Sequence, residues 1–170
     1  EVPGLWTYYC SAQKVKVSNR FFSMPLARLR MIGVQLYKFN IEGFLHWGFN
    51  FYNSRYSLKL INPYEDTDAG ANFPSGDSFL VYPGEKGIPE ESIRLMALFE
   101  AMEDICALET LETYTSKEYV VSILEEGLEE PLTFSNYPTS SKYLLKLRQR
   151  INQEINTHMN GCYCLLYTSD

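Results

Sequence analysis

Positive charge, histidine and long apolar runs are all scarce in this 170-residue sequence. Fifteen Lys and Arg stand against twenty-one Asp and Glu, a formal charge of -6, and a nucleic-acid groove needs its cations in excess and gathered on one face. The densest basic stretch, Lys142 to Arg150, alternates with apolar residues at helical spacing and reads as the solvated side of a helix. With two histidines in all, there is no His-Glu-x-x-His, and Gly-x-Ser-x-Gly is missing too. No strand is followed by a phosphate-binding glycine loop, so no nucleotide cofactor is implied, and no metal-ligand spacing appears. No run is long enough to cross a bilayer, and no signal peptide is visible.

The ends carry their own expectations. The sequence opens on Glu1 without a Met, and its last residues, Cys164 to Asp170 ("CLLYTSD"), read as the translation of a common sequencing adapter. The expectation is a fragment of a longer gene, cut at both ends, which leaves the compartment open. Of four cysteines, Cys164 lies in the adapter reading and Cys162 beside it. The other two, Cys10 and Cys106, are too far apart for a disulfide framework or a zinc site.

What is present is an aromatic-rich globular composition: 45% apolar, 21% charged and 15% aromatic, with thirteen Tyr and ten Phe. Tyr and Trp offer an apolar body with a polar tip, which suits a surface that grips something half-polar.

Leu5 to Cys10, "LWTYYC", reads as a buried strand. After a polar loop, Leu26, Leu29, Ile32, Gly33 and Leu36 recur at helical spacing, with Ser23 as the expected cap and Pro25 in the first turn. Asn40 to Gly43 ends this helix, and "GFLHWGFNFY", Gly43 to Tyr52, follows as a second strand. Strand, helix, strand is a βαβ unit with parallel neighbours. Residues 53–78 form a turn-rich loop long enough to suggest function. Phe79 to Tyr82 is the third expected strand, and Pro89, Glu90 and Glu91 open a long helix with an apolar stripe of Leu95, Leu98, Phe99, Met102, Ile105 and Cys106. Two more helical patterns run over Ser116 to Glu126 and Ser140 to Asn156.

Strands each followed by a helix predict an α/β fold, either an open sheet or a (β/α)8 barrel. In both, working residues collect where strands end. Alternation along the second strand gives one mixed face, Phe44, His46, Gly48, Asn50 and Tyr52, and one apolar face, Leu45, Trp47, Phe49 and Phe51, expected to pack on helices. His46 reads equally as a hydrogen-bonded core histidine or a ligand contact, and Asn50, nearer the strand end, leans toward contact. Trp47 fits the core or a sugar platform. Tyr8 reads as a contact through its hydroxyl, with core packing the default for Trp6. Tyr82 ends the third strand, Asp77 is a turn former or a ligand for hydroxyl groups, and Asp66 and Asp68 are solvated turn carboxylates. Arg28, Arg30 and Arg94 read as structural. This set suits binding a polyhydroxylated ring better than running a reaction alone.

Together "LWTYYC", "NRFFSMPLARLRMIGVQLYKFNIEGFLHWGFNFY", "FLVYPG" with "SIRL", and "LRQRINQEI" resemble the catalytic domain of glycoside hydrolase family 123, formerly a domain of unknown function, from Leu5 to about Ile155. The resemblance implies a (β/α)8 TIM-type barrel and exo-acting β-N-acetylgalactosaminidase activity, retaining and substrate-assisted, one of the exceptions to the two-carboxylate scheme. The family's catalytic pair is an Asp-Glu dipeptide at a strand end early in the barrel. That dipeptide occurs nowhere here; Glu65-Asp66 and Glu103-Asp104 have the reverse order. No catalytic residue is therefore assigned, and the expectation is the C-terminal portion of a barrel over residues 1–115, a helical extension over 116–163, and an N-terminal half that lies upstream. The implied ligand is an amino-sugar glycan, bound by Tyr8, His46, Trp47, Asn50, Asp77 and Tyr82. The alternatives are a non-catalytic carbohydrate-binding or scaffold barrel, and an unrelated α/β domain.

Overall fold

In the computed structural model, which describes residues 3–166 and side chains as far as residue 160, the βαβ unit forms as its pattern predicts. Strand β1 (Trp6–Tyr9) pairs in parallel with β2 (Gly43–His46), with Thr7 opposite Phe44 and Tyr9 opposite His46, and helix α1 (Leu26–Lys38) is the crossover. The end of α1 is a Schellman motif: the Ile41 N–H donates to the Leu36 carbonyl at 3.0 Å and the Asn40 N–H to that of Tyr37 at 3.2 Å. Asn40 takes the left-handed conformation this requires, φ 53°, which Asn tolerates better than most residues. The start departs from expectation. Ser23 does not cap; Pro25 occupies the N-cap position with φ -56° and no side-chain cap, its ring already holding φ near the helical value.

The faces of β2 are the reverse of those predicted. Phe44 meets Tyr9 edge to face at 5.2 Å over α1, where Tyr9 packs with Leu29, Ile32 and Leu36. Leu45 and Phe49 are about half exposed (53% and 51%), and so are Trp6 and Tyr8 (65% and 50%) on the open face of β1. The predicted alternation runs through Tyr52, but the ladder stops at His46 and the chain bends at Trp47. Gly48 then passes so close to the Ser78 backbone, with that carbonyl 2.7 Å from where a Cβ would stand, that no side chain has room there.

The third strand does not extend the parallel pair. Phe79 bridges Asn50 antiparallel, and β3 (Val81–Pro83) forms a hairpin with β4 (Pro89–Glu91), Val81 opposite Glu91. Lys86 and Gly87, at φ 56° and 78°, make its tight turn. Pro89 to Glu91 are thus strand rather than helix start. Helix α2 (Ile93–Tyr114) begins after Ser92, whose Oγ accepts the Leu95 N–H. Residues 53–78 are turns and short bridges. Within them Asp66 accepts from the Gly70 and Asp68 N–H groups and Asp68 from that of Ala71, the turn-forming role read for both.

Helix α2 meets α1 through small residues, Ala97 and Ala101, and through Leu108 and Leu111. The predicted stripe is largely left out of that contact. Phe99 is 57% and Met102 41% exposed, and with Leu36, Ile41, Phe44, Leu95 and Met96 they line an open groove of about 1400 Å³. Helices α3 (Lys117–Glu125) and α4 (Ser141–Leu166) cover the other side of α1. Leu124, Leu132, Leu144, Leu147 and Ile151 close one core with Met31, Val34 and Tyr37, so α1 is buried on faces beyond the stripe its sequence displays. The adapter reading at Cys164 to Asp170 falls among side chains outside the described residues.

Candidate functional site

Asp77 is the hub of the strand-end cluster. It is fully buried and follows Gly76, whose φ of 83° turns the chain at a point where a side chain would strike Phe22 and Arg94. Asp77 Oδ2 accepts the Trp47 indole N–H at 2.9 Å, while Oδ1 lies 3.2 Å from His46 Nε2. That second contact is off hydrogen-bond alignment, so among the described residues both atoms are buried without a partner, as are Arg20 Nε and Ser78 Oγ. The His46 Nδ1 accepts the Gly48 N–H at 3.3 Å, which assigns the proton to Nε2, facing Asp77.

Two buried arginines brace this hub from behind. Arg20 Nη2 donates to the Asp77 carbonyl at 2.6 Å. Arg94 donates to the carbonyls of Gly76 at 2.6 Å, Phe79 at 2.8 Å and Arg20 at 3.1 Å, and its guanidinium stacks over Phe22 and Phe79. Burial pulls Arg20 down to about 9 and Arg94 to about 10, yet both stay cationic at neutral pH and offset the charge of the buried carboxylate. Burial also lowers the pKa of His46, opposed by the Asp77 contact and reinforced by Arg20, so the ring is neutral at pH 7. Tyr8 is pushed up by desolvation and by the charges of Cys10 and Asp77.

His46, Trp47 and Asp77 are therefore in direct contact, and Tyr8 lies within electrostatic reach of Asp77 on the open face of β1. Trp47 is half-buried between Phe51 and Phe73, with centroids at 5.3 and 4.9 Å. Asn50 is exposed; its backbone bridges Phe79 and its amide makes no hydrogen bond among the described residues. Tyr82 stands apart from the hub, stacked on Tyr64 at 4.9 Å and edge-on to Phe79. Arg94, read as structural, does brace backbone carbonyls. Arg20 was missed because it sits in an irregular loop, "SNRFF", where burial follows no period.

Among the described residues no group of three or more His, Cys, Asp or Glu side chains could hold a metal ion, and no helix is long and apolar enough to cross a membrane. The arrangement offers aromatic faces, a buried anion and exposed amide and phenol groups, which is chemistry for holding a hydroxylated ring. Comparison with curated proteins finds no match. The family model described as "Glycoside hydrolase 123, catalytic domain" matches residues 3–111, a span that takes in the whole of this cluster, and the chain belongs to that glycoside hydrolase family.

Proposed function

We propose that this chain forms one wall of the sugar pocket in a glycosidase that acts on β-linked N-acetylhexosaminides, with N-acetylgalactosaminide the preferred sugar. The observation that carries the reading is the Asp77-centred cluster at the C-terminal end of a parallel strand, inside the span matched by the family. In parallel α/β barrels that end of the sheet is where substrates are held. On this reading the chain is the C-terminal portion of a (β/α)8 barrel with extra helices, and upstream strands complete it. The reaction is retaining and substrate-assisted: the acetamido oxygen attacks the anomeric carbon, an Asp steadies the acetamido group, and the next residue, Glu, protonates the leaving oxygen. No Asp-Glu dipeptide occurs in the 170 residues, so the acid belongs to the upstream part. Tyr8, His46, Trp47, Asn50, Asp77 and Tyr82 supply contacts.

The test is an assay of the complete gene product on a chromogenic β-N-acetylgalactosaminide beside its glucosamine analogue, with the upstream Asp-Glu pair substituted as control. Release that vanishes in the control supports the hydrolase. Tyr8→Phe and Asn50→Ala then raise KM about tenfold each, the scale of one lost hydrogen bond to substrate. No release on either sugar, with the fold intact, favours a non-catalytic carbohydrate-binding barrel instead.

A further inference from the structure

The geometry points to Asp77 as a positioning residue that fixes the Trp47 indole, backed by the buried His46 imidazole, as a rigid wall at the end of β2. The pattern of donors requires a carboxylate. An indole N–H only donates, and the His46 Nε2–H faces Asp77 Oδ1 at 3.2 Å, close but out of hydrogen-bond alignment, because its Nδ1 is occupied by the Gly48 N–H. Both rings thus turn a proton toward one side chain, and Asn would turn a donor toward one of them. A carboxylate with no solvent exposure is costly to bury, and two buried arginines brace the backbone around it, Arg20 at the Asp77 carbonyl and Arg94 at that of Gly76. The His46 ring, its side chain only 5% exposed, lies 6.4 Å from the Trp47 ring and 23° from parallel, so it backs the half-buried indole, and Trp47 is the aromatic surface that takes the apolar face of a hexosamine ring. The charged and titratable groups facing His46 are Asp77 and Arg20, with Arg94 and Tyr8 in the surrounding shell. The use of this wall for sugar rests on the proposed function; the positioning does not.

Spectroscopy separates the two. Trp6→Phe leaves Trp47 as the sole tryptophan. In that 170-residue protein the indole N–H band of ultraviolet resonance Raman spectra reads the Trp47 hydrogen bond. The expected result is a strongly bonded indole, and Trp47 emission that is quenched as His46 protonates, with a midpoint below 6.5. Adding Asp77→Asn weakens the indole bond and moves the midpoint further down, because the favourable anion is gone. If Asp77→Asn unfolds, His46→Phe serves: it abolishes the pH-dependent quenching and keeps the strong indole bond. A weakly bonded indole in the parent, or a midpoint that Asp77→Asn leaves in place, overturns the positioning role. In the complete enzyme, Asp77→Asn raises KM about tenfold or more with a smaller change in kcat. An unchanged KM beside the expected spectra leaves Asp77 positioning the rings and overturns the sugar reading.

Discussion

Gly33 of α1 lies against the backbone carbonyl of Ala101 on α2, so close that a Cβ at residue 33 would collide with it. The obstacle is backbone in the middle of a helix, not a side chain that can swing aside. Gly33→Ala gains about 1 kcal/mol of helix propensity but forces the helices apart, at about 1–3 kcal/mol for an overpacked core. The expected net loss is about 1 kcal/mol, and Gly33→Val should lose more. Urea unfolding midpoints decide it: a Gly33→Ala protein more stable than the parent would mean the two helices separate freely.

Asp104 ties three helices together. Its carboxylate receives Arg30 of α1 at 2.6 and 2.9 Å and Arg148 of α4 at 2.6 Å, with the Asp104 side chain only 7% exposed. Asp104→Ala leaves Arg148 without its carboxylate and Arg30 with Glu100 alone, at 3.1 Å, and should cost about 3 kcal/mol. Arg148→Ala, removing the more exposed partner at 29%, should cost about 1 kcal/mol. Equal losses in denaturant unfolding would show that Arg148 is as deeply committed as Asp104.

These two contacts show what was legible and what was not. The βαβ order and the α1 stop at Asn40 follow local rules, and the sequence displays them. The second burial of α1 and the open groove on α2 do not, because both depend on which neighbours arrive: α4 covers residues that a solvent-facing pattern would leave bare, while Phe99 stays 57% exposed. In the site, His46, Trp47 and Asp77 were each singled out, but their joining was invisible, since Asp77 reaches Trp47 across thirty residues of loop. Arg20 left no trace in any periodicity. The faces of β2 were misread because one bend at Trp47 ends the alternation.

Acid should loosen the contact between α1 and α3. Glu125 takes the Lys38 ammonium at 2.5 Å and the Leu132 N–H at 2.7 Å, and the bond from Lys38 holds its carboxyl below the ordinary 4.5. A carboxylate lowered in the folded state contributes stability that is full above its unfolded value and lost as pH falls through the folded one. Between about pH 6 and about pH 3 the Tm of the parent should therefore fall more steeply than that of Glu125→Gln. Parallel curves would count against the pairing.

The groove beside α2 makes the last prediction. Phe99, Met96 and Met102, all more than 40% exposed, adjoin Ile41 and Phe44 in one apolar surface, and continuous patches of this kind bind other apolar surfaces. On the barrel reading, upstream units cover this face, together with Leu45 and Phe49, in the complete enzyme. The 170-residue chain alone should then bind a hydrophobic dye and self-associate, whereas the complete protein should do neither. Met96→Lys with Phe99→Glu, at exposed helix positions, should cut dye binding several-fold and leave helical circular dichroism unchanged. A monomeric parent that binds no dye would mean the groove closes on itself, and one argument for the barrel reading would go with it.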